Sequence, residues 1–318
     1  MLRTGVGMLL FSLMVNGAGA MGCGPRRSDA AQGSRPARQS APPAPGQKRD
    51  EAAGGDMKVL AEGSHSRVND AFIIVARDAS IYRALRGLVE TLPEMNDDFF
   101  LKNVVVAAFL GVRNTGGYSV GITRSADKSV RIAQQSPPPD AMVTQAFTNP
   151  FKVVSLPAAG EKAVALDLDE PWKAMLRPYR ITAGELSVTG GIAGISKKFP
   201  LEGEVRVMRY GNWATCVASL KGGAKEEAPH AVTDAATGTV GSDGRIDIPY
   251  IDGGSLVGRP CTGLRAVGSF VDNESKLSLQ FSPAPCLATD AFYGAGKLEA
   301  AATGPAPPKR KPSIMDEK

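Results

Sequence analysis

The residues that could carry chemistry are few, and their settings argue against an active site. The two histidines, His65 and His230, lie among small or polar residues in segments predicted to be linker or loop, which gives little support to acid–base catalysis. Ser125 and Lys128 have the spacing of a serine–lysine dyad, but the pattern predicts a turn there, whereas the dyad needs one helical turn. No phosphate-binding loop, dinucleotide fingerprint or nucleophile elbow is present. We therefore predict no catalytic residue and a protein that is not an enzyme.

A cluster of carboxylates is the best candidate for a metal site. Asp167, Asp169 and Glu170 could offer oxygen ligands to Ca²⁺. Such a site needs six or more oxygens and a turn-forming glycine, and this segment instead fits a charged connection that ends at Pro171. The four cysteines contain no C-x-x-C pair, so zinc is not indicated either. We predict neither a metal nor a cofactor.

Net charge excludes nucleic acid as a partner. The chain of 318 residues has a formal net charge of +5 and a pI of about 9.0. Residues 57–302 are neutral, with 26 Lys and Arg against 26 Asp and Glu, so the excess charge lies in the terminal segments. A surface that neutralises several phosphates is therefore not indicated.

The N-terminus has the parts of a secretory signal. Arg3 precedes an apolar run over residues 5–15, and small residues follow it. Ala18-Gly19-Ala20 fits ordinary signal peptidase, whereas Ala20-Met21-Gly22-Cys23 resembles a bacterial lipobox, with Ala20 where leucine is usual. We predict a signal peptide over residues 1–22 and lipidation of Cys23, with cleavage after Ala20 as the alternative.

The segments at both ends of the folded part have a composition typical of disorder. Residues 23–56 are rich in Pro, Ala, Gly, Ser, Gln and Arg and cannot bury enough apolar surface to offset their ordering entropy. Residues 303–318 are similarly rich in Pro, Lys and Arg. We predict a tether and a tail, and an exported protein in the periplasm or at the outer membrane or cell surface, held to the membrane through Cys23.

Two folded domains are predicted between these segments, of mainly β or α+β class. In the first, residues 57–160, a buried strand at 71–76 is followed by a helix whose N-cap is Asp78. Further strands are predicted at 103–110, 117–124, 128–134 and 151–156. The pattern indicates a small sheet with one packed helix.

The second domain, residues 161–302, is predicted to be an antiparallel β-sandwich or barrel because short β-runs alternate with turn signals. The predicted strands are 179–189, 204–209, 213–220, 245–250, 264–271, 276–281 and 296–301.

A disulfide between Cys261 and Cys286 follows from one predicted hairpin. If residues 272–275 form its turn, Val271 faces Lys276, and the same register continued places the two cysteines opposite each other. Directly opposed residues are about 4.5–5.5 Å apart at Cα, within reach of a disulfide. Cys216 would then remain as a small buried thiol. The alternative, which pairs all four cysteines, requires an unlipidated Cys23.

The connection between two predicted strands of the first domain carries a specific pattern. The sequence G-x-R-x-T-G-G-Y-S-V occupies residues 111–120, and V-T-Q-A-F-T-N-P-F occupies residues 143–151 after a Pro-rich connection. With the strands around them, these motifs resemble the C-terminal domain of PrcB, an accessory subunit of a bacterial surface protease complex, over roughly residues 70–157. The resemblance implies a cell-envelope module and supplies no catalytic residue.

The loop inside the first motif is a candidate interaction site. Asn114, Thr115, Gly116, Gly117 and Tyr118 are predicted to form the tip of a hairpin, where a rigid scaffold could present them to a partner. The alternative is a turn without function. The loop is also distantly similar to the N-P-T-T-G-Y loop of chagasin-like cysteine-protease inhibitors, although the glycine-rich second loop and the R-P-W element of that family are missing.

Together these features predict a non-catalytic accessory or binding module of the cell envelope. Its expected partner is an envelope or surface protein, such as a protease. A chagasin-like inhibitor, or a hydrolase whose site is not visible in the sequence, are the alternatives.

The predicted anchor can be tested with one substitution. Wild-type protein should partition with membranes, and Cys23→Ser should be secreted or accumulate unprocessed, because each buried CH₂ of the lipid contributes about 0.8 kcal/mol. Membrane fractionation and N-terminal sequencing measure both properties. Equal solubility of the two forms, with a mature N-terminus at Met21, would contradict lipidation.

Overall fold

The computed structural model describes residues 57–158, 163–190, 195–222, 230–252, 263–284 and 292–306. All of them belong to one compact unit. The predicted signal peptide, Cys23, the whole predicted tether, most of the predicted tail and both cysteines of the predicted disulfide lie outside the described residues. None of the described helices has the length and apolar character needed to cross a membrane.

The described chain is mostly β-strand, in agreement with the predicted class. In chain order the first elements are β1 (Lys58–Gly63), β2 (Phe72–Ala76), α1 (Ala79–Arg86), α2 (Asp97–Lys102), β3 (Asn103–Phe109), β4 (Ser119–Arg124), β5 (Val130–Gln135), β6 (Phe151–Pro157), β7 (Leu166–Leu168) and α3 (Glu170–Lys173). The elements that follow are β8 (Arg177–Gly190), β9 (Ile195–Pro200), β10 (Glu202–Tyr210), β11 (Trp213–Gly222), β12 (His230–Val240), β13 (Arg245–Asp252), β14 (Gly263–Val271), β15 (Lys276–Pro283) and β16 (Phe292–Ala302).

The first sheet is antiparallel and has the strand order β1-β6-β3-β2. Residues Val104–Phe109 of β3 are all buried, and both edges of β3 are occupied, by β2 and by β6. The predicted hairpin between the strands at 103–110 and 117–124 is therefore wrong. A central strand that is hydrogen-bonded on both sides has no edge left for β4, so the chain leaves this sheet after Leu110.

The strands that follow form a second, three-stranded sheet. β4 pairs antiparallel with β5, and β5 pairs parallel with β7. Val120, Ile122, Val130 and Ile132 alternate with more exposed residues and are buried in the same apolar cluster as the first sheet. The inward faces of the two sheets thus share one core.

The helices belong to the first part of the chain, which runs from β1 to α3; the second part runs from β8 to β16. Asp78 caps α1 as predicted, accepting from the backbone N–H of Ser80 (2.8 Å) and of Ile81 (2.9 Å). α2 and α3 are short additions to the one predicted helix. α3 brings Trp172 into the core, where its indole N–H donates to the carbonyl of Phe109 (2.9 Å).

Among the described residues, eight strands of the second part close an antiparallel barrel. β10 to β16 pair in sequence, and β8 closes the circuit by pairing with both β16 and β10. β9 extends the wall along the far half of β8. Alternate apolar residues of these strands form a separate buried cluster, typical of a small barrel filled by its own side chains.

The β14–β15 hairpin has the predicted register. Val271 pairs with Lys276, and the pairing continues without a shift to Leu264 and Pro283. The predicted disulfide lies beyond this point, outside the described residues, and stays a prediction. Cys216 is a free, buried thiol in the barrel interior, as predicted, and burial raises its pKa to about 12.

Strand β12 was not predicted, and its composition explains why. Its sequence, His-Ala-Val-Thr-Asp-Ala-Ala-Thr-Gly-Thr-Val, contains residues that are depleted in strands, notably Ala, Gly and Asp. The small side chains are explained by tertiary packing, because Ala235 lies in the core shared with the first sheet. The backbone of β13 also approaches Gly238 so closely that an added Cβ would collide with the carbonyl of Asp247.

The outer wall of the barrel covers the edge of β2. The hydroxyl of Thr237 accepts from the backbone N–H of Val75 (2.8 Å), and the hydroxyl of Thr215 donates to the carbonyl of Ile73. Both threonines are buried and face each other across β11 and β12. Side-chain hydroxyls thus replace the strand that would otherwise complete this edge.

A buried ion pair stabilises the same contact, directly after the end of β2. The guanidinium of Arg77, which follows β2, donates to the carboxylate of Asp234 on β12, and their side chains are only 2% and 0% exposed. The carboxylate also accepts from the backbone N–H groups of Val164 (2.8 Å) and Asp252 (2.9 Å). Arg77 lies over the ring of Tyr250, 5.7 Å from its centroid.

These contacts fill an opening in the barrel wall. β12 and β13 pair only at Thr239–Asp247 and Val240–Ile246, so they separate over the rest of their length. In that interval Ala235 donates its backbone N–H to the carbonyl of Val164 (2.9 Å). A backbone segment of the first part of the chain therefore takes the place of a strand partner in the barrel wall of the second part.

The buried ion pair should contribute far more stability than an exposed one. We expect Asp234→Asn to lower the free energy of unfolding by about 3–5 kcal/mol, because it removes a buried carboxylate with which the Arg77 guanidinium pairs. The matched control is Asp247→Asn, which breaks the exposed pair with Arg265 and should change it by at most about 1 kcal/mol. Urea unfolding measures both. Equal losses in the two variants would contradict the structural role of the buried pair.

Candidate interaction surface

Two connections of the first part of the chain pack against each other. Residues 113–118 lie in the connection from β3 to β4, and residues 137–148 lie in the connection from β5 to β6. Arg113 and Thr148 form an isolated bridge, with backbone N–H to carbonyl distances of 2.7 and 2.9 Å. Gly116 donates its backbone N–H to the carbonyl of Thr144 (2.9 Å), and the hydroxyl of Thr148 donates to the carbonyl of Thr115 (3.0 Å). We call these two segments the loop pair.

The two glycines of the loop pair are required by its packing. An added Cβ on Gly116 would collide with the hydroxyl of Thr144. Gly117 has a φ of +85°, and an added Cβ there would approach the side chains of Pro137 (2.9 Å) and Val143 (3.1 Å). The glycine pair of the first motif and the Pro-rich connection thus fit each other directly.

The end of the second motif ties the loop pair to the first sheet. Asn149 donates its side-chain amide to the carbonyl of Val68 (3.1 Å) and to the side-chain oxygen of Asn69 (2.9 Å). The carbonyl of Pro150 accepts from the backbone N–H of Leu110 (2.9 Å). Polar side chains that satisfy backbone groups in this way hold a loop in one conformation.

Arg113 and Tyr118 form a stacked pair at the base of the loop pair. The guanidinium of Arg113 lies 5.8 Å from the centroid of the Tyr118 ring and donates to the side chain of Gln134 (3.1 Å). Partial burial lowers the pKa of Arg113 from its ordinary value. Tyr118 is itself half-buried and packs against the main core. Both residues therefore contribute to the packing of the loop pair.

The predicted interaction residues divide between the surface and the packed interior of the loop pair. Asn114 and Gly117 are exposed, Thr115 and Tyr118 are partly buried, and Gly116 is buried. They lie on a connection between two sheets and not at a hairpin tip, for the reason given above. Tyr118, on which the similarity to the inhibitor loop depended, is not presented at the end of a protruding loop.

Sequence reasoning missed the two most exposed apolar side chains of the loop pair. Met142 is 101% exposed and Phe147 is 61% exposed, whereas their neighbour Thr148 is buried. No signal in the sequence distinguished them, because Val143 directly follows Met142, and Phe147 has Val143 and Phe151 four residues away on either side. Large apolar side chains exposed on an ordered loop are candidates for an interface, since they could bury apolar area against a partner.

The other candidate residues have structural roles or lie apart. Ser125 and Lys128 form a tight turn between β4 and β5, with the backbone N–H of Lys128 donating to the carbonyl of Ser125 (2.9 Å). Asp167 and Asp169 both pair with Arg131. His65 is exposed. No cluster of metal-ligating side chains occurs within the described ranges.

A cleft with a volume of about 710 Å³ lies in the barrel wall. It opens where β8 leaves β10 to pair with β9, and its lining includes Arg180, Glu202 and Lys221, which are exposed. Burial is the main cause of a raised pKa at Cys216, Tyr179, Tyr250 and Asp234. None of these residues lines the cleft.

Comparison with known proteins identifies the segment that contains the loop pair. Residues 104–157 match the family model described as PrcB C-terminal. The match runs from β3 to the end of β6 and includes both motifs. It confirms the resemblance predicted from the sequence over that segment. No curated protein matches the chain.

Substitution of Gly117 tests how much its packing in the loop pair contributes to stability. We expect Gly117→Val to lower the free energy of unfolding by about 3 kcal/mol, because the substitution adds a contact with Pro137 to the strain of a positive φ. The control is Gly211→Val, which shares the positive φ but meets nothing within 4 Å and should lose about 1–2 kcal/mol. Thermal or urea unfolding compares the two, and equal losses would refute the packing role.

Proposed function

We propose that this chain, which carries a PrcB C-terminal segment, is a lipid-anchored accessory protein that binds an envelope protease through its loop pair. The observation that carries the proposal is the position of the most exposed apolar side chains. Met142 and Phe147 lie within the segment that matches the family of a protease-complex subunit. The partner is a protein, because apolar side chains on a fixed loop suit a protein surface.

Rigidity of the loop pair supports a role in docking. Its two segments are joined by backbone hydrogen bonds at Arg113–Thr148 and Gly116–Thr144, and Asn149 ties them to the first sheet. A loop that is already ordered loses little conformational entropy when it binds. Phe147 is therefore suited to act as an aromatic anchor, with Met142 as a second, adaptable apolar contact.

The predicted lipid anchor and tether would place the binding role at a membrane. Lipidation at Cys23 would hold the protein at a membrane, and the segment up to residue 56 would let the folded part reach a partner. Effective concentration near a membrane-bound protease would then support a modest affinity at the loop pair.

Docking is favoured over the two alternative functions by specific contacts. An inhibitor of the chagasin type would present its tyrosine loop to a protease, whereas Tyr118 packs beneath Arg113 and against the core. A hydrolase would need polar groups that converge in a cleft. The lining of the barrel cleft is instead an open, exposed set of charged side chains such as Arg180 and Lys221.

Substitution of the exposed apolar pair tests the docking role. We expect the double variant Met142→Ser, Phe147→Ser to fold normally and to weaken the complex at least about 30-fold, because an aromatic anchor contributes about 2 kcal/mol or more. The matched control is Val267→Ser, Val271→Ser, which removes two exposed valines of the barrel and should leave binding unchanged.

The measurement is affinity purification of the anchored protein from detergent-solubilised membranes, followed by identification and titration of the co-purified protease. The proposal fails if both double variants retain the same partners at the same affinity. It also fails if wild-type protein purifies without a protease.

A further inference from the structure

We infer that the end of the first part of the chain at which the predicted tether arrives binds the surface of an anionic phospholipid membrane. This second membrane contact would orient the loop pair away from the lipid, toward the partner. The inference rests on the proposed function because the lipid at Cys23 is what would bring this end of the molecule to a membrane.

Strand pairing places the beginnings of β1 and β3 at one end of the first sheet. Lys58 pairs with Ser155 of β6, and Ser155 pairs on its other side with Val105 of β3. Lys102 directly precedes β3, and its carbonyl accepts from the backbone N–H of Ala158 (2.8 Å). Residues of a strand are about 3.3 Å apart and neighbouring strands about 4.8 Å, so the Cα atoms of Lys58 and Lys102 lie within roughly 15 Å of each other.

The turn between β4 and β5 brings two further cations to the same end. Arg124 and Lys128 line a small cleft to which Ala158 also contributes. Because Ala158 is the residue that hydrogen-bonds to Lys102, these three basic residues belong to one region of the surface. The predicted tether ends at residue 56 and therefore reaches the folded part here, directly before β1.

Two exposed apolar side chains lie next to these cations. Val59 follows Lys58 and is 46% exposed, and Leu101 precedes Lys102 and is 41% exposed. We call the surface formed by the following six residues the basic face: Lys58, Val59, Leu101, Lys102, Arg124 and Lys128.

The cations of the basic face remain available to a ligand. Within the described ranges, none of the four forms an ion pair. The nearest carboxylate in the sequence to Lys128 is Asp127, which accepts from the backbone N–H (3.0 Å) and the hydroxyl (2.7 Å) of Ser129. Asp97 and Asp98 begin α2, at the opposite end of that helix from its last residue. The positive charge of the basic face is therefore not neutralised by direct pairing.

A membrane surface suits this combination of side chains. Each Lys or Arg close to an anionic lipid surface strengthens binding about fivefold, and apolar side chains such as Leu101 can enter the boundary between headgroups and acyl chains. Attraction of this modest size can set the orientation of a molecule that a lipid anchor already confines to the membrane.

The loop pair lies at the other end of the same strands. β3 leaves the basic face at Asn103 and ends at Phe109, and the next residue, Leu110, is hydrogen-bonded to Pro150 beside the loop pair. The 7 residues of β3, at about 3.3 Å each, separate the two ends by about 20 Å. With the basic face against lipid, the loop pair would therefore lie on the side of the molecule that faces away from the membrane.

Vesicle sedimentation tests the contact without the anchor, in the full-length mature chain that carries Cys23→Ser. The probes are phosphatidylcholine vesicles with and without phosphatidylglycerol, at low and at high salt. We expect binding only to the vesicles that contain phosphatidylglycerol, and a loss of that binding at high salt, because salt screens the attraction between exposed charges.

Two double variants with the same change in net charge test the position of the contact. Lys102→Glu, Lys128→Glu should bind at least about tenfold more weakly, because each substitution replaces an attraction by a repulsion. The matched control is Lys173→Glu, Lys297→Glu. Lys297 lies on β16, and Lys173 adjoins Trp172, which contacts the far end of β3, so the control should lose at most about threefold. Urea unfolding checks that both variants fold.

Tryptophan fluorescence locates the contact directly. The two native tryptophans, Trp172 and Trp213, are buried, so Leu101→Trp adds the one exposed indole. Its emission should shift to shorter wavelength with anionic vesicles and should be quenched by lipids with brominated acyl chains. The control Val267→Trp, on the barrel, should show neither change.

Other outcomes overturn the inference. Equal weakening in the two charge variants would identify a nonspecific attraction, and an unchanged emission of Leu101→Trp would exclude contact at the basic face. Loss of vesicle binding after deletion of residues 24–56 alone would assign the attraction to the tether. Loss of vesicle binding in Met142→Ser, Phe147→Ser would assign it to the loop pair.

Failure of this inference can be distinguished from failure of the proposed function. If Lys102→Glu, Lys128→Glu binds anionic vesicles as wild type does, while the loop-pair variant loses the protease, the proposed function stands and this inference alone falls. If the basic face binds vesicles and no protease co-purifies with the wild-type protein, the proposed function falls and the membrane contact stands.

Discussion

Coverage of the β2 edge by the barrel is the interaction on which the rest of the structure depends. The hydroxyls of Thr215 and Thr237 satisfy backbone groups that no strand reaches, and the buried pair of Arg77 and Asp234 closes the end of the same contact. The barrel gains in return, because Val164 and Arg77 occupy the opening between β12 and β13. Each part therefore completes the hydrogen bonding of the other. A destabilising substitution in either part should therefore lower the stability of both.

That mutual completion explains what could and could not be predicted from the sequence. Local signals were sufficient for the α1 cap at Asp78 and for the register that pairs Val271 with Lys276. They failed for β12, whose alanines and glycine are explained by the approach of the first sheet and of β13, neither of which a local pattern contains. The hairpin was predicted wrongly because the Gly-Gly turn signal is local, whereas the occupation of both edges of β3 is not.

The family motif separates into residues that build the loop pair and residues that the loop pair presents. Arg113, Gly116, Gly117, Thr148 and Asn149 are all used in packing or hydrogen bonding within the first part of the chain. Gly116 and Gly117 were among the predicted interaction residues because a Gly-Gly pair is a distinctive turn signal. The exposed Met142 and Phe147 have no distinctive spacing, and their exposure becomes evident only once the packed residues around them are placed.

The separation in sequence between β2 and its cover has a consequence for how the chain is made. Val75 hydrogen-bonds to Thr237, which lies 162 positions later in the chain, and Arg77 pairs with Asp234, which lies 157 positions later. A polypeptide that emerges from its N-terminus first therefore holds an uncovered strand, and Arg77 without the carboxylate of Asp234, until most of the barrel has been synthesised. Contacts this distant form slowly and leave the early part open to association with other chains. Newly made protein should for that interval be a substrate for chaperones, which the completed molecule no longer needs.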